Sequence, residues 1–240
     1  MNSFRSRLIG AGALVAAVAL VATGCASTSS DDTSAQPETL VIDKSFDLVT
    51  ADPARMFETT GNIVLHAVYD SLLTFEDGDS TTPQPSLAES YEVNDDATVY
   101  TFTLREGVTF HNGEEMTAED VIFSLNRAIT TEGSQIEFLG GKIESISALD
   151  ELTVAVQLNE PWPYLLHDFS GHSAPIWPKD HFEQVGLEAF LQEPVGTGPF
   201  MWDSADPGSS LTVVANPNYW EAGKPPLDSI TFQVFADDTA

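Results

Sequence analysis

The stretch that decides the fold is VYTFTLREGVTFHNGEEMTAEDVIFSLNR, residues 99–127. It begins with Tyr100, Phe102 and Leu104, three large apolar side chains that alternate with threonines, and this pattern predicts a half-buried strand. From Thr117 the period changes. The sequence Thr-Ala-Glu-Asp resembles a capping box with Asp120 in place of the usual Glu, and an apolar stripe at helical spacing follows it. The stretch therefore predicts a strand, a turn and a helix in immediate succession.

The same two periods recur outward along the chain, without a regular βαβ period or an internal repeat. A helix is predicted over 61–73, with Thr60 as its cap and Ile63 on its apolar face. The mixed order of helices and strands predicts an α/β fold of the mixed α+β kind. Further strands are predicted over 40–42, 152–158, 211–215 and 230–234.

The amino terminus has the pattern of an export signal. Arg5 and Arg7 precede an uncharged apolar run over 8–21, which is shorter than a membrane-spanning helix requires. Small residues then lead to Cys25, the only cysteine, in a sequence that resembles the bacterial lipobox with Ala22 in place of its usual Leu. The resemblance implies a lipid on Cys25 and cleavage before it, and the alternative is an ordinary signal peptide cut elsewhere.

The charge of the chain restricts its partners. Nine Lys and Arg stand against 37 Asp and Glu, which gives a formal net charge of -28. Such a chain repels nucleic acid and anionic headgroups, so neither is expected as a partner. A single cysteine allows no internal disulfide bond.

Several ordered sequence blocks together resemble one protein family. The blocks are LAESY (87–91), 100–113, 117–127, VGTGPF (195–200), NPNYW (216–220) and LDSITF (227–232). They resemble the signature of the family 5 extracellular solute-binding proteins, the peptide- and nickel-type receptors of ABC importers. The blocks themselves are expected to be scaffold, because Gly196 and Gly198 permit backbone geometry that a Cβ would forbid. His111, in the turn between strand and helix, is expected to be a structural hydrogen-bonding residue.

The resemblance also implies a domain organisation. The expected fold is a two-lobed, periplasmic-binding-protein-like one that is incomplete here, because family members are much longer: lobe one is partial, an inserted small domain is present and the second lobe is absent. The predicted segments are a lipoprotein signal peptide (1–24), a flexible tether (25–38), the first segment of lobe one (39–60), the inserted small domain (61–169) and the return segment of lobe one (170–240).

The function implied is that of a receptor rather than an enzyme. The chain is expected to be anchored outside the cytoplasm through lipid on Cys25, to capture a small molecule, and to deliver it to an ABC permease driven by separate ATPase subunits. Di- or oligopeptides are the favoured ligand, with a nickel chelate, an opine or an oligosaccharide as alternatives. A surface-anchored hydrolase and a purely structural lipoprotein remain the alternative functions.

The best candidate ligand site is the loop formed by Phe57, Glu58, Thr59 and Thr60. In similar receptors the loop after the first strand borders the pocket, and a helix start can hold a carboxylate or a carbonyl. Glu58 could meet a cationic group of the ligand. The alternative is that Thr60 only caps the helix and Glu58 is solvated. Trp162 could be an aromatic wall of a pocket or a core residue.

Other chemistry has weaker support in the sequence. His167, Asp168, His172, Asp180 and His181 lie close together, but their spacing matches no compact metal-binding motif, so no metal is expected. The chain has no G-x-S-x-G elbow, Walker loop or dinucleotide fingerprint, and no catalytic residue or cofactor is predicted.

Overall fold

The structure is a computed structural model that describes residues 38–44, 48–76 and 78–235, except the side chains of Thr60 and His172. The predicted signal peptide (1–24), its lipidated Cys25 and all but the last residue of the tether (25–38) lie outside the described residues. Within the described part, no helix is long and apolar enough to cross a membrane.

Ten strands and four α-helices make up this part of the chain. The strands are β1 (Thr39–Lys44), β2 (Leu73–Thr74), β3 (Gln84–Pro85), β4 (Ala88–Val93), β5 (Val99–Leu104), β6 (Ile143–Asp150), β7 (Thr153–Leu158), β8 (Phe200–Asp206), β9 (Ser210–Ala215) and β10 (Ser229–Val234). The helices are α1 (Thr59–Val68), α2 (Ala118–Thr130), α3 (Leu165–Asp168) and α4 (Lys179–Gln192), with 3-10 turns at Pro53–Arg55, Glu137–Gly141 and Gly171–Ser173. The predicted mixed α/β class is confirmed.

One four-stranded sheet has the order β4-β5-β7-β6 and is antiparallel throughout; we call it the local sheet. Alternate residues of β5 are buried, as the sequence predicts, and β7 shows the same alternation. Helix α2 covers this sheet with Val121, Leu125 and Ala128. Its start is the predicted capping box, in which both the backbone N–H and the hydroxyl of Thr117 donate to Asp120 at 2.9 Å.

A second four-stranded sheet has the order β1-β10-β9-β8, and we call it the long-range sheet. Strand β1 runs parallel to β10, from which it is separated by most of the described chain, and the other pairs are antiparallel. Its core contains Leu211, Val213 and Phe232. Helix α1 packs into this core through Val64 and Val68.

Helix α1 differs from its prediction at both ends. It begins at Thr59 with Glu58 as the N-cap, so the prediction of Thr60 as the cap is wrong. It ends at Val68 rather than near residue 73, because Tyr69 is extended and is buried against Trp177 instead of continuing the helix. The predicted apolar face is also wrong at Ile63, which is 48% exposed.

The turn that contains Gly196 and Gly198 lies directly against the end of α1. A Cβ on Gly196 would lie 2.1 Å from the carbonyl oxygen of Val68, and one on Gly198 would lie 2.5 Å from its carbonyl carbon. The predicted need for glycine is therefore confirmed, and its reason is the close approach of two backbones. His111 closes this turn from the other side: its Nε2 is 3.0 Å from the Gly198 oxygen and its Nδ1 accepts from the Gly196 N–H at 3.2 Å.

Candidate functional site

The candidate ligand residues lie in one exposed loop, which we call the α1 loop (residues 56–60). It follows the 3-10 turn Pro53–Arg55 and runs into the first turn of α1. Phe57 is 63% exposed, and Glu58 and Thr59 are exposed beside it. The loop therefore presents an aromatic ring, a carboxylate and a hydroxyl group to solvent within three consecutive residues.

The amino-terminal end of α1 adds a fourth feature to this loop. Glu58 occupies the N-cap position, but its side chain makes no capping hydrogen bond, and its carbonyl oxygen accepts from the N–H of Asn62 at 3.0 Å. The N–H groups of a first helical turn carry a partial positive charge and attract carboxylate or carbonyl oxygens. A zwitterionic ligand could thus find a partner for each of its charges in one loop.

The segment before the α1 loop is fixed by a buried ion pair. Arg127 of α2 donates to both carboxylate oxygens of Asp52, at 3.0 and 2.6 Å, and the Asp52 side chain is only 3% exposed. Asp52 also accepts from the N–H of Ala54 at 3.1 Å, which caps the 3-10 turn. The Arg127 guanidinium in turn lies 4.1 Å from the centre of the Trp177 ring, a cation–π contact. The buried carboxylate of Asp52 is paired with Arg127 and hydrogen-bonded to Ala54, so the 3-10 turn has a defined position.

The loop itself is anchored at Met56. This residue is 1% exposed, and its side chain fills the space where a Cβ on Gly61 would lie, 2.1 Å from the Met56 sulfur. The carbonyl oxygen of Met56 accepts from Nε2 of Gln135 at 2.8 Å, and the Gln135 amide oxygen accepts from the Ser173 hydroxyl at 3.4 Å. Two distant segments therefore hold the residue that precedes Phe57.

Behind α1, the carboxylate of Asp70 joins two of the sequence blocks. It accepts from the hydroxyl of Thr197 at 3.1 Å, from that of Tyr219 at 3.3 Å and from the indole N–H of Trp220 at 3.0 Å. Burial raises the pKa of Asp70, although the three donors favour its charged form. Because both blocks donate their polar groups to the buried carboxylate of Asp70, they serve the scaffold.

The histidines near residue 170, for which no metal was expected, have other neighbours. The ring of His167 lies 5.1 Å from that of Phe75, and the ring of His181 lies 6.0 Å from that of Phe190. Asp168 accepts from the indole N–H of Trp162 at 2.7 Å. Among the described residues, no group of three metal-ligating side chains is close enough to hold an ion.

Trp162 has mostly internal contacts. It is half-buried against the core of the local sheet, and Lys142 lies 4.1 Å above its ring. This environment favours the core alternative over a pocket wall.

An open groove elsewhere in the described chain does not include the α1 loop. It has a volume of about 1110 Å³ and apolar walls that include Val49 and Trp202. Three acidic residues, Glu193, Asp203 and Asp206, line it. Among the described residues, the charged groups of the groove are all carboxylates and could pair only with a cation. The α1 loop combines a carboxylate with a helix start and an aromatic ring, so it can select a ligand by more than one kind of group.

Comparison with known proteins places these features in a family. Residues 82–240 match the family model described as bacterial extracellular solute-binding proteins, family 5 middle. Di/tripeptide-binding protein 4 of Pseudomonas aeruginosa is 32% identical over 248 aligned positions, which include 93% of this chain and 44% of that protein. Heme-binding protein A of Haemophilus influenzae is 31% identical and matches 78% of this chain and 38% of its own length.

Solved structures agree with this result. The solute-binding protein MoaA of A. tumefaciens R10, in complex with mannopinic acid, superposes with a TM-score of 0.78 at 33% identity, over 84% of this chain and 42% of that one. The predicted likeness to periplasmic binding proteins is thereby confirmed. The chain spans less than half the length of each of these three relatives.

Proposed function

The chain belongs to family 5 of the bacterial extracellular solute-binding proteins, and from this premise we propose that it acts as a lipid-anchored receptor that captures di- or oligopeptides for an ABC importer. The observation that carries the proposal is the α1 loop, where an exposed Phe57, the Glu58 carboxylate and the start of α1 lie together. Glu58 would pair with the ammonium group of a peptide, the helix start with a carbonyl or carboxylate, and Phe57 with an apolar side chain. Binding would be non-covalent, and no catalytic step is involved.

The proposed domain organisation follows from the two cores. Strands of segments 39–44 and 200–234 build the long-range sheet, on which α1 packs, and residues 88–158 build the local sheet with α2. The first group would form part of the lobe that presents the ligand site. The second group would be the inserted small domain, with its start moved from residue 61 to the end of α1.

The lipid anchor is a separate part of the proposal and rests on the sequence around Cys25. Expression with labelled palmitate in a bacterial host tests it. The wild-type protein should incorporate label and sediment with membranes, whereas Cys25→Ser should do neither. Label that persists in Cys25→Ser would rule out this anchor.

Ligand class is tested on the natural full-length protein by thermal shift and isothermal titration calorimetry. The panel contains di- and tripeptides, nickel–histidine, opines and short oligosaccharides. Peptides should raise the melting temperature, because a ligand that binds only the folded state stabilises it. Phe57→Ala and Glu58→Gln should weaken peptide binding, whereas Glu160→Gln, an exposed substitution in the local-sheet region, should not. Stabilisation by a non-peptide alone would replace the proposed ligand.

A further inference from the structure

We infer that Gln135 is a positioning residue for the ligand site: it holds the α1 loop in its binding geometry without itself contacting the ligand. The inference rests on the proposed function, in which the α1 loop meets the ligand. Gln135 lies 79 positions from Met56 in sequence and belongs to the segment that follows α2. It therefore connects the α2 region to a loop that belongs with the long-range sheet.

The hydrogen bond from Gln135 to Met56 fixes the orientation of one peptide unit at the start of the α1 loop. A peptide unit is planar, so the direction of the Met56 carbonyl also sets the direction of the Phe57 N–H. The N–H of Met56 already bonds to the Pro53 oxygen at 3.3 Å, and its side chain is buried beneath α1. The remaining freedom is rotation of the plane between Met56 and Phe57. The Gln135 contact at 2.8 Å is the described hydrogen bond that restrains it.

Gln135 is itself held by its buried neighbours and by Ser173. Its neighbours Ser134 and Ile136 are 9% and 3% exposed, so the backbone on either side is embedded in the core. Its amide must point Nε2 at Met56, because a carbonyl oxygen can only accept. The Ser173 hydroxyl donates to the amide oxygen at 3.4 Å and favours that orientation. Ser173 thus acts on the loop through Gln135.

Gln135 contributes to the position of the α1 loop more than to the stability of the whole protein. Gln135 is half-buried at the surface and adds one polar contact to a segment whose apolar anchors are separate. Its loss leaves the core of both sheets intact. The consequence should therefore appear in the mobility of the α1 loop and in ligand affinity more than in the unfolding of the whole protein.

The chain offers a matched control in Gln157 of β7. That residue is also half-buried, and its Nε2 donates to the carbonyl oxygens of Thr98 and Leu158 at 3.3 and 3.1 Å. It belongs to the local sheet, and the hydrogen bonds of its side chain stay within the region of that sheet. Gln→Met at either position keeps the length of the side chain and removes its hydrogen bonds.

The experiment compares wild type, Gln135→Met and Gln157→Met in the natural full-length protein. Backbone hydrogen exchange is followed over residues 57–62, and binding of trialanine is measured by calorimetry. Gln135→Met should speed exchange in this segment and weaken trialanine binding by about 3- to 10-fold, the usual range for one hydrogen bond. Gln157→Met should leave both unchanged. Adding Ser173→Ala to Gln135→Met should have no further effect.

Each outcome has a defined meaning. If exchange over 57–62 is the same in wild type and Gln135→Met, Gln135 does not hold the loop and the inference is overturned. It is also overturned if exchange rises while trialanine affinity stays at the wild-type value. If the wild-type protein binds none of the peptides, the proposed function fails, and the exchange measurement alone decides whether Gln135 holds the loop.

Discussion

The local sheet and the long-range sheet are built from the same number of strands but depend on different information. Strands β4 to β7 and helix α2 follow one another closely along the chain, and alternate side chains of β5 and β7 face one core. The long-range sheet instead pairs β1 with β10, so that Thr39 lies opposite Ser229. Local periodicity is enough to form the first, whereas the second requires contacts that close most of the chain into a loop.

The two sheets meet through a small set of contacts between distant residues, which we call the seam. It includes the Asp52–Arg127 ion pair, the His111 contacts with the glycine turn, the Asp70 hydrogen bonds and the Gln135–Met56 bond. If the local sheet forms from local periodicity and the long-range sheet depends on distant contacts, substitutions in the seam should loosen the long-range sheet and leave the local sheet formed.

The largest effect is expected at Gly198, where three backbone atoms of α1 lie within 2.7 Å of the position that a Cβ would take. Gly198→Ala would place a Cβ 2.5 Å from the carbonyl carbon of Val68, and backbone atoms cannot move aside as a flexible side chain does. We expect destabilisation of more than about 4 kcal/mol. Denaturant unfolding measures it, with Gly141→Ala as the control because its Cβ would meet nothing within 4 Å. Equal effects in both variants would contradict the close-approach argument.

The next largest effect is expected from breaking the buried ion pair. Asp52→Ala leaves Arg127 without its carboxylate, and removing one partner of a buried pair typically costs about 3–5 kcal/mol. The control is Glu160→Gln, whose solvent-exposed pair with Lys142 should contribute little to stability. Hydrogen exchange should show faster opening in β1 and β10 than in β5 and β7. A uniform increase over both sheets would contradict a seam between two bodies.

These contacts also mark how far the sequence could predict the structure. The strands β5 and β7 and the capping box of α2 were predicted correctly, because each depends on residues a few positions apart. The need for glycine at the 195–200 turn was predicted as well, although the structure shows crowding against Val68 as its cause.

What the sequence could not predict depends on long-range contacts. The end of α1 was misplaced because Tyr69 leaves the helix to pack on Trp177, far away in sequence. Gln135 carried no sequence signal, since one glutamine in a loop gives no indication of a carbonyl 79 positions away. The α1 loop was proposed from the resemblance and from the expected helix start, and the exposure of Phe57 and the missing side-chain cap at Glu58 became visible only in the structure.

A pH titration of stability sharpens the comparison at Asp70. Burial raises its pKa in the folded state above the ordinary value of 3.8, so the folded protein holds this proton more tightly than the unfolded chain does. Its contribution is therefore present in full below pH 3.8 and is lost as the pH rises through the folded-state pKa. The loss is about 1.4 kcal/mol for each unit by which the pKa is raised.

The measurement is the free energy of unfolding against pH in wild type and Asp70→Asn, with the exposed Asp203→Asn as the control. The stability of Asp70→Asn relative to wild type should increase as the pH rises from acid toward neutrality, because only the wild type loses this contribution. A difference that is constant with pH would show that the three donors balance the burial of the carboxylate.

The smallest effect is expected at His111, and it has the opposite sign. Burial lowers the pKa of His111 below the ordinary value of 6.5, and its Nδ1 can accept from the Gly196 N–H only while it is unprotonated. The neutral ring therefore contributes stability above pH 6.5, and this contribution is lost as the pH falls through the folded-state pKa. His111→Gln should remove about 0.5–1.5 kcal/mol at pH 8 and less at pH 5, because below pH 6.5 the unfolded wild-type chain gains stability by protonating this histidine. Urea unfolding at the two pH values measures the change, with His167→Gln, an exposed histidine outside the seam, as the control. An equal loss at both pH values would mean that the glycine turn is held by crowding against Val68 alone.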